Sequence, residues 1–414
     1  MVMRLQAVAD DMTGANGLGG RWAGRGRDVC VARKEAWLRG EAGCRILDVE
    51  TRLLSPGAAR AAVRTAWASL GGHGLLFQKI DSTLRGNPAE EIEGLVLATS
   101  APWVAVLPAY PGLGRRVLGG ALWVHGRRLD RTEYARDPLT PSRAWRPGDL
   151  FPRSKTAQAP LRAVEGGVAA LRRWLAGALR GRPRFVTFDC AEDRHVRVIA
   201  DACLAESCRH FAGAADLGGA LAARILGPAR PARRPAGRPW ILLAGSVSET
   251  TFSQLAAWDG SGRPWRPRLR RVRGGGWRAA APGGDLALRR ELRAAGALAL
   301  SSLAERGDLD PWRRAQARRG RPAARCAAEA MRALARWGLR VSGGLPRCGW
   351  FVTGGHTLSA LDEAAQIRRF HIVGEVLPEV PLGRAESAAG SAWMCSKPGG
   401  FGDRDCFVRF MEGF

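Results

Sequence analysis

Lysine and tyrosine are nearly missing from this chain. Of its 64 Lys and Arg residues only four are lysine, at positions 34, 79, 155 and 397, and two tyrosines, Tyr110 and Tyr134, stand against 15 tryptophans. An Arg-for-Lys and Trp-for-Tyr skew is what a strongly GC-biased genome produces whatever the protein does. The formal net charge of +26 therefore does not by itself mark a nucleic-acid binder. The arginines are scattered and dense mainly over 230–238 and 263–278. The first stretch has no aromatic residue and the second only Trp265 and Trp277, a poor platform for stacking bases. No nucleic-acid partner is expected, although a positive field would help attract small anions.

Other absences narrow the class further. No run of about 18 uncharged apolar residues occurs, so no transmembrane helix and no membrane partner are expected. The N-terminus enters a strand-like segment at once and has no signal-peptide core, which predicts a soluble cytoplasmic protein. The nine cysteines (30, 44, 190, 203, 208, 326, 348, 395 and 406) form no Cys-x-x-Cys pair and no metal spacing with the six histidines. Reduced, buried thiols follow, and no metal ligands are assigned. Neither a Walker A loop nor a GxGxxG fingerprint is present, and no internal repeat stands out.

What is present reads as an α/β protein of two α/β domains. At 414 residues, 46% hydrophobic and 25% charged, the chain has material for two or three ordinary domains. Up to about Leu226, strand-like runs alternate with helical ones: Val2 to Val8, Leu75-Leu76-Phe77 and Arg184 to Phe188 as strands, and Leu161, Val164, Val168, Leu171 and Leu175 at helical spacing. The segment 228–239 holds four prolines and no apolar periodicity, and is the predicted linker between a domain at 1–227 and one at 240–414. Trp240 to Ala244 opens the second domain as a buried strand. The Gly-, Pro- and Arg-rich stretch from Gly260 to Gly284 reads as a loop or insertion.

Two strand-to-helix loops carry the chemistry of the first domain. After Leu75–Phe77 comes Lys79-Ile80-Asp81-Ser82-Thr83-Leu84-Arg85-Gly86-Asn87-Pro88, then a helical run over 89–97. Asn87 suits the N-cap, Pro88 the first helical position and Glu90 the capping-box position. After the first strand comes Ala9-Asp10-Asp11-Met12-Thr13-Gly14-Ala15-Asn16-Gly17. Adjacent carboxylates at a strand end need donors or a cation; a solvated turn capping the next helix is the plainer account of them. Ligands of open α/β sheets bind at this end of the strands. In the second domain, Gly245-Ser246-Val247-Ser248, Thr353-Gly354-Gly355-His356-Thr357 and Gly399-Gly400-Phe401-Gly402-Asp403 are three turns able to present backbone N–H groups to a phosphate.

These segments, in this order, resemble the four-carbon acid sugar kinase family. Leu47-Asp48-Val49-Glu50-Thr51-Arg52, Pro108-Ala109-Tyr110-Pro111-Gly112, Thr132 to Pro138, Gly374-Glu375 and Pro381-Leu382-Gly383-Arg384 extend the resemblance over nearly the whole chain. It implies an ATP-dependent kinase acting on a hydroxyl of threonate, erythronate or a 3-oxo relative, with ATP and Mg²⁺ as cofactors and the active site in the cleft between two domains. A homo-oligomer is left open. Asp10, Asp11, Asp48, Arg52, Asp81, Ser82 and Arg85 match the sugar-acid side. Ser246, Gly354, Gly355, His356, Thr357, Gly399 and Gly400 match the ATP-contacting positions. Chemically, Arg85 or Arg52 is suited to grip a substrate carboxylate bidentately. Asp81 and Ser82 are suited to hold hydroxyls, and Asp10 or Asp11 to orient or deprotonate the attacking one. Three residues depart from the family pattern: Gly17 where an aspartate is usual, His356 where an aspartate is usual, and Pro398, which removes an N–H donor from a phosphate loop. They admit a second reading, a catalytically impaired member that binds nucleotide or sugar acid without efficient turnover.

Overall fold

The computed structural model describes residues 4–40, 43–137, 140–262, 268–271, 277–280, 283–302 and 323–413. The chain divides into two compact units, Met1–Arg230 and Pro231–Phe414.

The first unit runs β1 (Leu5–Ala9), α1 (Met12–Trp22), β2 (Val29–Ala32), β3 (Cys44–Asp48), α2 (Pro56–Leu70), β4 (Leu75–Lys79), α3 (Pro88–Thr99) and β5 (Val104–Leu107). A small antiparallel sheet of β6 (Arg115–Leu118), β7 (Ala121–Val124) and β8 (Arg127–Arg128) follows. Then come β9 (Thr156–Ala159), α4 (Leu161–Glu165), α5 (Gly167–Ala178), β10 (Phe185–Phe188), α6 (Asp193–Ala205), β11 (His210–Gly213) and α7 (Ala215–Leu226). The main sheet has the order β2-β3-β1-β4-β11-β5-β10-β9, with every neighbouring pair parallel. Strands covered on both faces read as continuous apolar runs, and β1, β4, β5 and β10 are buried at every position. The chain passes from β3 on one side of β1 to β4 on the other, so β1 is a switch point. Register makes that point level: Ala9 lies opposite both Asp48 and Lys79. The loops after β1, β3 and β4 therefore leave the sheet side by side.

The second unit runs β12 (Trp240–Ala244), α8 (Glu249–Gly260), β13 (Arg268–Arg271), β14 (Trp277–Ala280), α9 (Gly284–Ala295), β15 (Ala297–Ser301) and α10 (Ala323–Ser342). It continues with β16 (Gly349–Thr353), α11 (Gly355–Ala365), β17 (Ile367–Leu377), β18 (Val380–Ser387), β19 (Gly390–Lys397) and α12 (Cys406–Glu412). Its strand order is β14-β13-β15-β12-β16-β19-β18-β17, parallel from β13 through β19 and antiparallel at both ends. Ala244 pairs with Thr353, and Thr353 with Lys397, so three strands again end level. One face carries an aromatic core in which Phe410 meets Trp240 and Phe351 edge-on, at 4.8 Å between centroids in each case.

Several sequence expectations are corrected. The first strand is Leu5–Ala9, and Met1 to Met3 lie outside the described residues. The stretch from Gly260 to Gly284 is not all loop. β13 and β14 pair antiparallel within it, because an edge ladder is made by backbone groups and does not require an apolar pattern. Residues 263–267, 272–276 and 281–282 of that stretch, and Pro138 and Leu139, lie outside the described residues. The helical run from Leu161 breaks at Gly167, whose φ is +80°. Pro88 opens α3 as expected, but Asn87 does not cap it and no capping box forms. Its Nδ2 donates instead to Thr51 O at 2.9 Å and Leu54 O at 3.0 Å, tying the α3 start to the loop after β3. All nine cysteines are buried. Among the described residues no helix is long and apolar enough to cross a membrane.

Candidate active site

In the first unit, Arg52 joins the three level loops. Its Nε and Nη2 donate to Asp10 Oδ2 at 2.9 and 2.5 Å. Its Nη1 lies 2.8 Å from Asp11 Oδ2, and Nη2 lies 3.6 Å from Asp81 Oδ1. Four of the residues singled out in the sequence are thus one ion-pair cluster. Asp11 also does what the plainer account asked of it. It is the N-cap of α1, with Oδ1 accepting from Gly14 N at 2.7 Å and Oδ2 from Thr13 Oγ1 at 2.9 Å.

Asp81 and Arg85 form a two-toothed pair, Nε to Oδ2 and Nη2 to Oδ1, both 2.9 Å. Asp81 Oδ2 also accepts from Thr83 N at 3.2 Å and from Thr83 Oγ1. Between them Leu84 is buried at φ +56°, a left-handed conformation that a bulky side chain rarely adopts. Leu84 N donates to Asp81 O at 3.0 Å, so the tight turn is held by the same aspartate. The outer side of Arg85 faces the Tyr134 ring at 5.3 Å and Asp137 Oδ2 at 3.6 Å.

Burial and charge split the carboxylates into two groups. Burial raises Asp10 above the ordinary range, Arg52 opposes the rise, and Asp11 adds to it. Burial also pushes Asp11 up, but Arg52, Lys79 and the Gly14 hydrogen bond bring it below its usual value. Burial acts against ionisation of Asp81 too, yet Arg85 and Arg52 hold it well below. Glu91 is raised well above its usual value by burial first and by Asp10 second. Asp48 is likewise raised, by burial, then Glu50 and Asp11.

Not every predicted residue joins the cluster. Asp48 ends β3 beside it but turns to Glu50 N at 3.1 Å and Arg33 Nε at 3.7 Å. Ser82 is buried and makes no side-chain hydrogen bond among the described residues. Sequence reading missed Glu91, whose Oε1 accepts from Thr51 Oγ1 at 2.8 Å. It also missed Lys79, buried with Nζ on Ile80 O at 2.8 Å. Glu91 reads as an ordinary acid in the first turn of a helix, where it favours the helix dipole, so no local signal distinguishes it.

In the second unit, the loops after β12, β16 and β19 close on one another. Gly354, at φ +96°, brings its backbone against Ser246, and a Cβ on Gly399 would run into Ser246 Oγ. These two glycines permit contacts that no other residue would. Gly354 N donates to Lys397 O at 2.9 Å. Gly355 and the exposed His356 open α11, and the positive end of a helix dipole favours an anion there. Thr357 is turned away: it is buried, with Oγ1 on Met331 Sδ at 3.3 Å. The buried Thr251, Thr353 and Lys397, none of them among the predicted ligands, lie beneath these loops.

Comparison with known proteins separates the two units in the same way. A family model described as a sugar-binding N-terminal domain matches residues 5–223, and one described as a nucleotide-binding C-terminal domain matches residues 241–407. A D-threonate kinase of Bordetella bronchiseptica is 30% identical over 413 residues, covering 97% of this chain and 95% of that one. The chain belongs to the four-carbon acid sugar kinase family. A D-threonate kinase of Salmonella typhimurium is 30% identical over 265 residues, 61% of this chain, and the match spans 60% of that relative's length. A crystal structure of a Salmonella typhimurium protein superposes with a TM-score of 0.80 at 22% identity, covering 98% of both chains, and shows the shared fold. Within this family frame the Arg52 cluster falls in the sugar-binding match, and the Ser246–Gly354–Gly399 loops fall in the nucleotide-binding one.

Proposed function

We propose that the chain is an ATP-dependent kinase that phosphorylates a hydroxyl of a four-carbon sugar acid, with D-threonate the first substrate to test. The observation that carries this reading is the Arg52 guanidinium shared by Asp10, Asp11 and Asp81 at the switch point of the first unit's sheet. A polyhydroxy acid needs a fixed set of charged and hydroxyl partners, and this cluster supplies them on a rigid frame. Asp10 is the favoured base. Its raised value sits nearer neutrality than those of Asp11 and Asp81, which improves proton abstraction. Arg52 is engaged on three sides, so the carboxylate grip falls to the outer face of Arg85, and Ser82 is available for a substrate hydroxyl. Asp81 and Asp11 hold the loops.

The nucleotide phosphates are assigned to the amides of Gly355, Gly399 and Gly400, with Gly354, Ser246 and His356 at the same rim. Phosphoryl transfer depends mainly on positioning and charge neutralisation. Mg²⁺ would arrive with ATP, held largely by phosphate oxygens and water, and would supply part of that neutralisation. Among the described residues no group of three or more His, Cys, Asp or Glu side chains is placed to hold a metal by itself.

The test is ADP release from MgATP by purified protein with D- and L-threonate, D- and L-erythronate and their 3-oxo forms. Turnover with one of them, lost in Asp10→Asn and Arg85→Ala, supports the reading. Tight MgADP binding with no turnover on any of them replaces it by a nucleotide-binding member without this activity.

A further inference from the structure

The loop after β19 is tied down through its carbonyl oxygens. Ser248 Oγ donates to Gly399 O at 2.7 Å, and Thr251 Oγ1 donates to the same oxygen at 2.9 Å. Lys397 Nζ reaches that oxygen at 3.5 Å and Pro398 O at 3.3 Å. Gln254 Nε2 donates to Phe401 O at 3.0 Å and Asp403 O at 2.8 Å. Ser248, Thr251 and Gln254 all belong to the start of α8. A trans peptide unit is planar, with C=O and N–H on opposite sides, and no cis peptide occurs among the described residues. Each carbonyl drawn toward α8 therefore turns the next residue's N–H away from it. The Gly399 carbonyl does this for the Gly400 amide, while the Pro398 carbonyl, which accepts from Phe401 N at 3.2 Å and lies 3.3 Å from Lys397 Nζ, sets the Gly399 amide by the same planarity; neither amide donates to a group among the described residues.

Lys397 stands out within this scaffold. It is fully buried, lies 5.4 Å above the Phe407 ring and forms no ion pair among the described residues. Burial pulls its ammonium down to about 8. A buried cation balanced only by carbonyl oxygens and an aromatic face lowers stability compared with an apolar side chain of similar size. Packing alone gives no reason for a lysine here.

We propose that Lys397, Thr251, Ser248 and Gln254 are positioning residues for the nucleotide phosphates, acting on the carbonyl oxygens of the 398–403 loop so that the Gly399 and Gly400 amides face the ligand. Lys397 works from beneath the loop and does not touch phosphate. This rests on the nucleotide-binding reading of the second unit and adds which buried side chains make that site competent.

A double-mutant cycle in the full chain tests it, using Lys397→Met and Thr251→Val with MgADP affinity measured by calorimetry, adenosine as a phosphate-free control, and melting temperature recorded for each variant. Each single change is expected to weaken MgADP about fivefold to tenfold, the worth of one hydrogen bond, and to leave adenosine affinity unchanged. The double variant is expected to be little weaker than the weaker single, because both side chains act through the Gly399 carbonyl. Thr251→Ser, which keeps the hydroxyl, is expected to bind as the unchanged protein does. Losses that multiply in the double variant overturn the inference, since they mean Lys397 contacts phosphate independently. An equal loss of adenosine affinity also overturns it. If Thr251→Val fails to fold, Ser248→Ala takes its place in the cycle. Failure of the unchanged protein to bind MgADP instead defeats the nucleotide-binding reading itself.

Discussion

Arg52 bonds twice to one oxygen of Asp10 and leaves the other bare. Nε and Nη2 both donate to Oδ2, while the buried Oδ1 has no hydrogen-bond partner among the described residues. A carboxylate held by one oxygen and unsatisfied at the other keeps a lone pair with which to accept a proton. Asp10→Asn keeps the shape and removes the base, so kcat in the proposed reaction is expected to fall about 10²- to 10⁴-fold. MgADP affinity, set in the second unit, is expected to stay unchanged. Steady-state kinetics and a calorimetric titration check both halves.

Arg85 is expected to act on substrate binding. Its Nε and Nη2 are occupied by Asp81, leaving Nη1 on the open side near Asp137. Arg85→Lys loses the planar fork that holds Asp81 and a ligand carboxylate together. The KM for the sugar acid should rise about tenfold or more, with the KM for ATP little altered, when each substrate is varied in turn.

Glu91 makes a stability prediction with a definite sign. Its native value lies well above the usual 4.5 because it is buried near Asp10. The unfolded chain therefore releases its proton at lower pH than the native one does. The native state keeps its full stability below about 4.5 and loses part of it as pH rises through the native value. Glu91→Gln should match the unchanged protein near pH 4 and exceed it in melting temperature at pH 8. A difference that shrinks with rising pH would contradict this.

Gly399→Ala drives a Cβ into Ser246 Oγ, and the loop must move. MgADP affinity is expected to fall by more than tenfold. Adding Ser246→Gly, which vacates the space, should restore part of the loss even though it deletes a hydroxyl. Recovery in the double variant is the outcome to look for.

Gly17 lies in the middle of α1, and a Cβ there meets nothing within 4 Å. Gly17→Ala is expected to stabilise the protein by about 0.5–1 kcal/mol through reduced backbone entropy of the unfolded chain, measured by denaturant unfolding. The same open space means that an aspartate at this position would enter without a clash at Cβ.

Much of the frame was legible along the chain. The buried runs of β4 and β12 follow from apolar patterning and the start of α3 from Pro88, and the loops at 10–11, 81–85 and 399–400 are marked by residue types that a packed core does not need. Pattern failed where no side-chain signal exists. β14 is an edge strand paired only with β13, by a ladder that backbone groups make, and the capping box at Asn87 gave way where its side-chain amide donates to Thr51 O and Leu54 O.

By itself, the sequence determined which residues could do chemistry and which runs would be strands, because charge, hydroxyls and apolar periodicity are local properties. Which of them meet was decided by register. Ala9 opposite Asp48 and Lys79 places Asp10, Asp11 and Asp81 within reach of the Arg52 guanidinium, and Thr353 opposite Ala244 and Lys397 stacks Ser246, Gly354 and Gly399. The same tertiary contacts separated Asp10 from Asp11, neighbours of identical chemistry. One is buried with a bare oxygen, the other caps a helix, and solvation and hydrogen bonding rather than residue type set which of the two is fit to be a base.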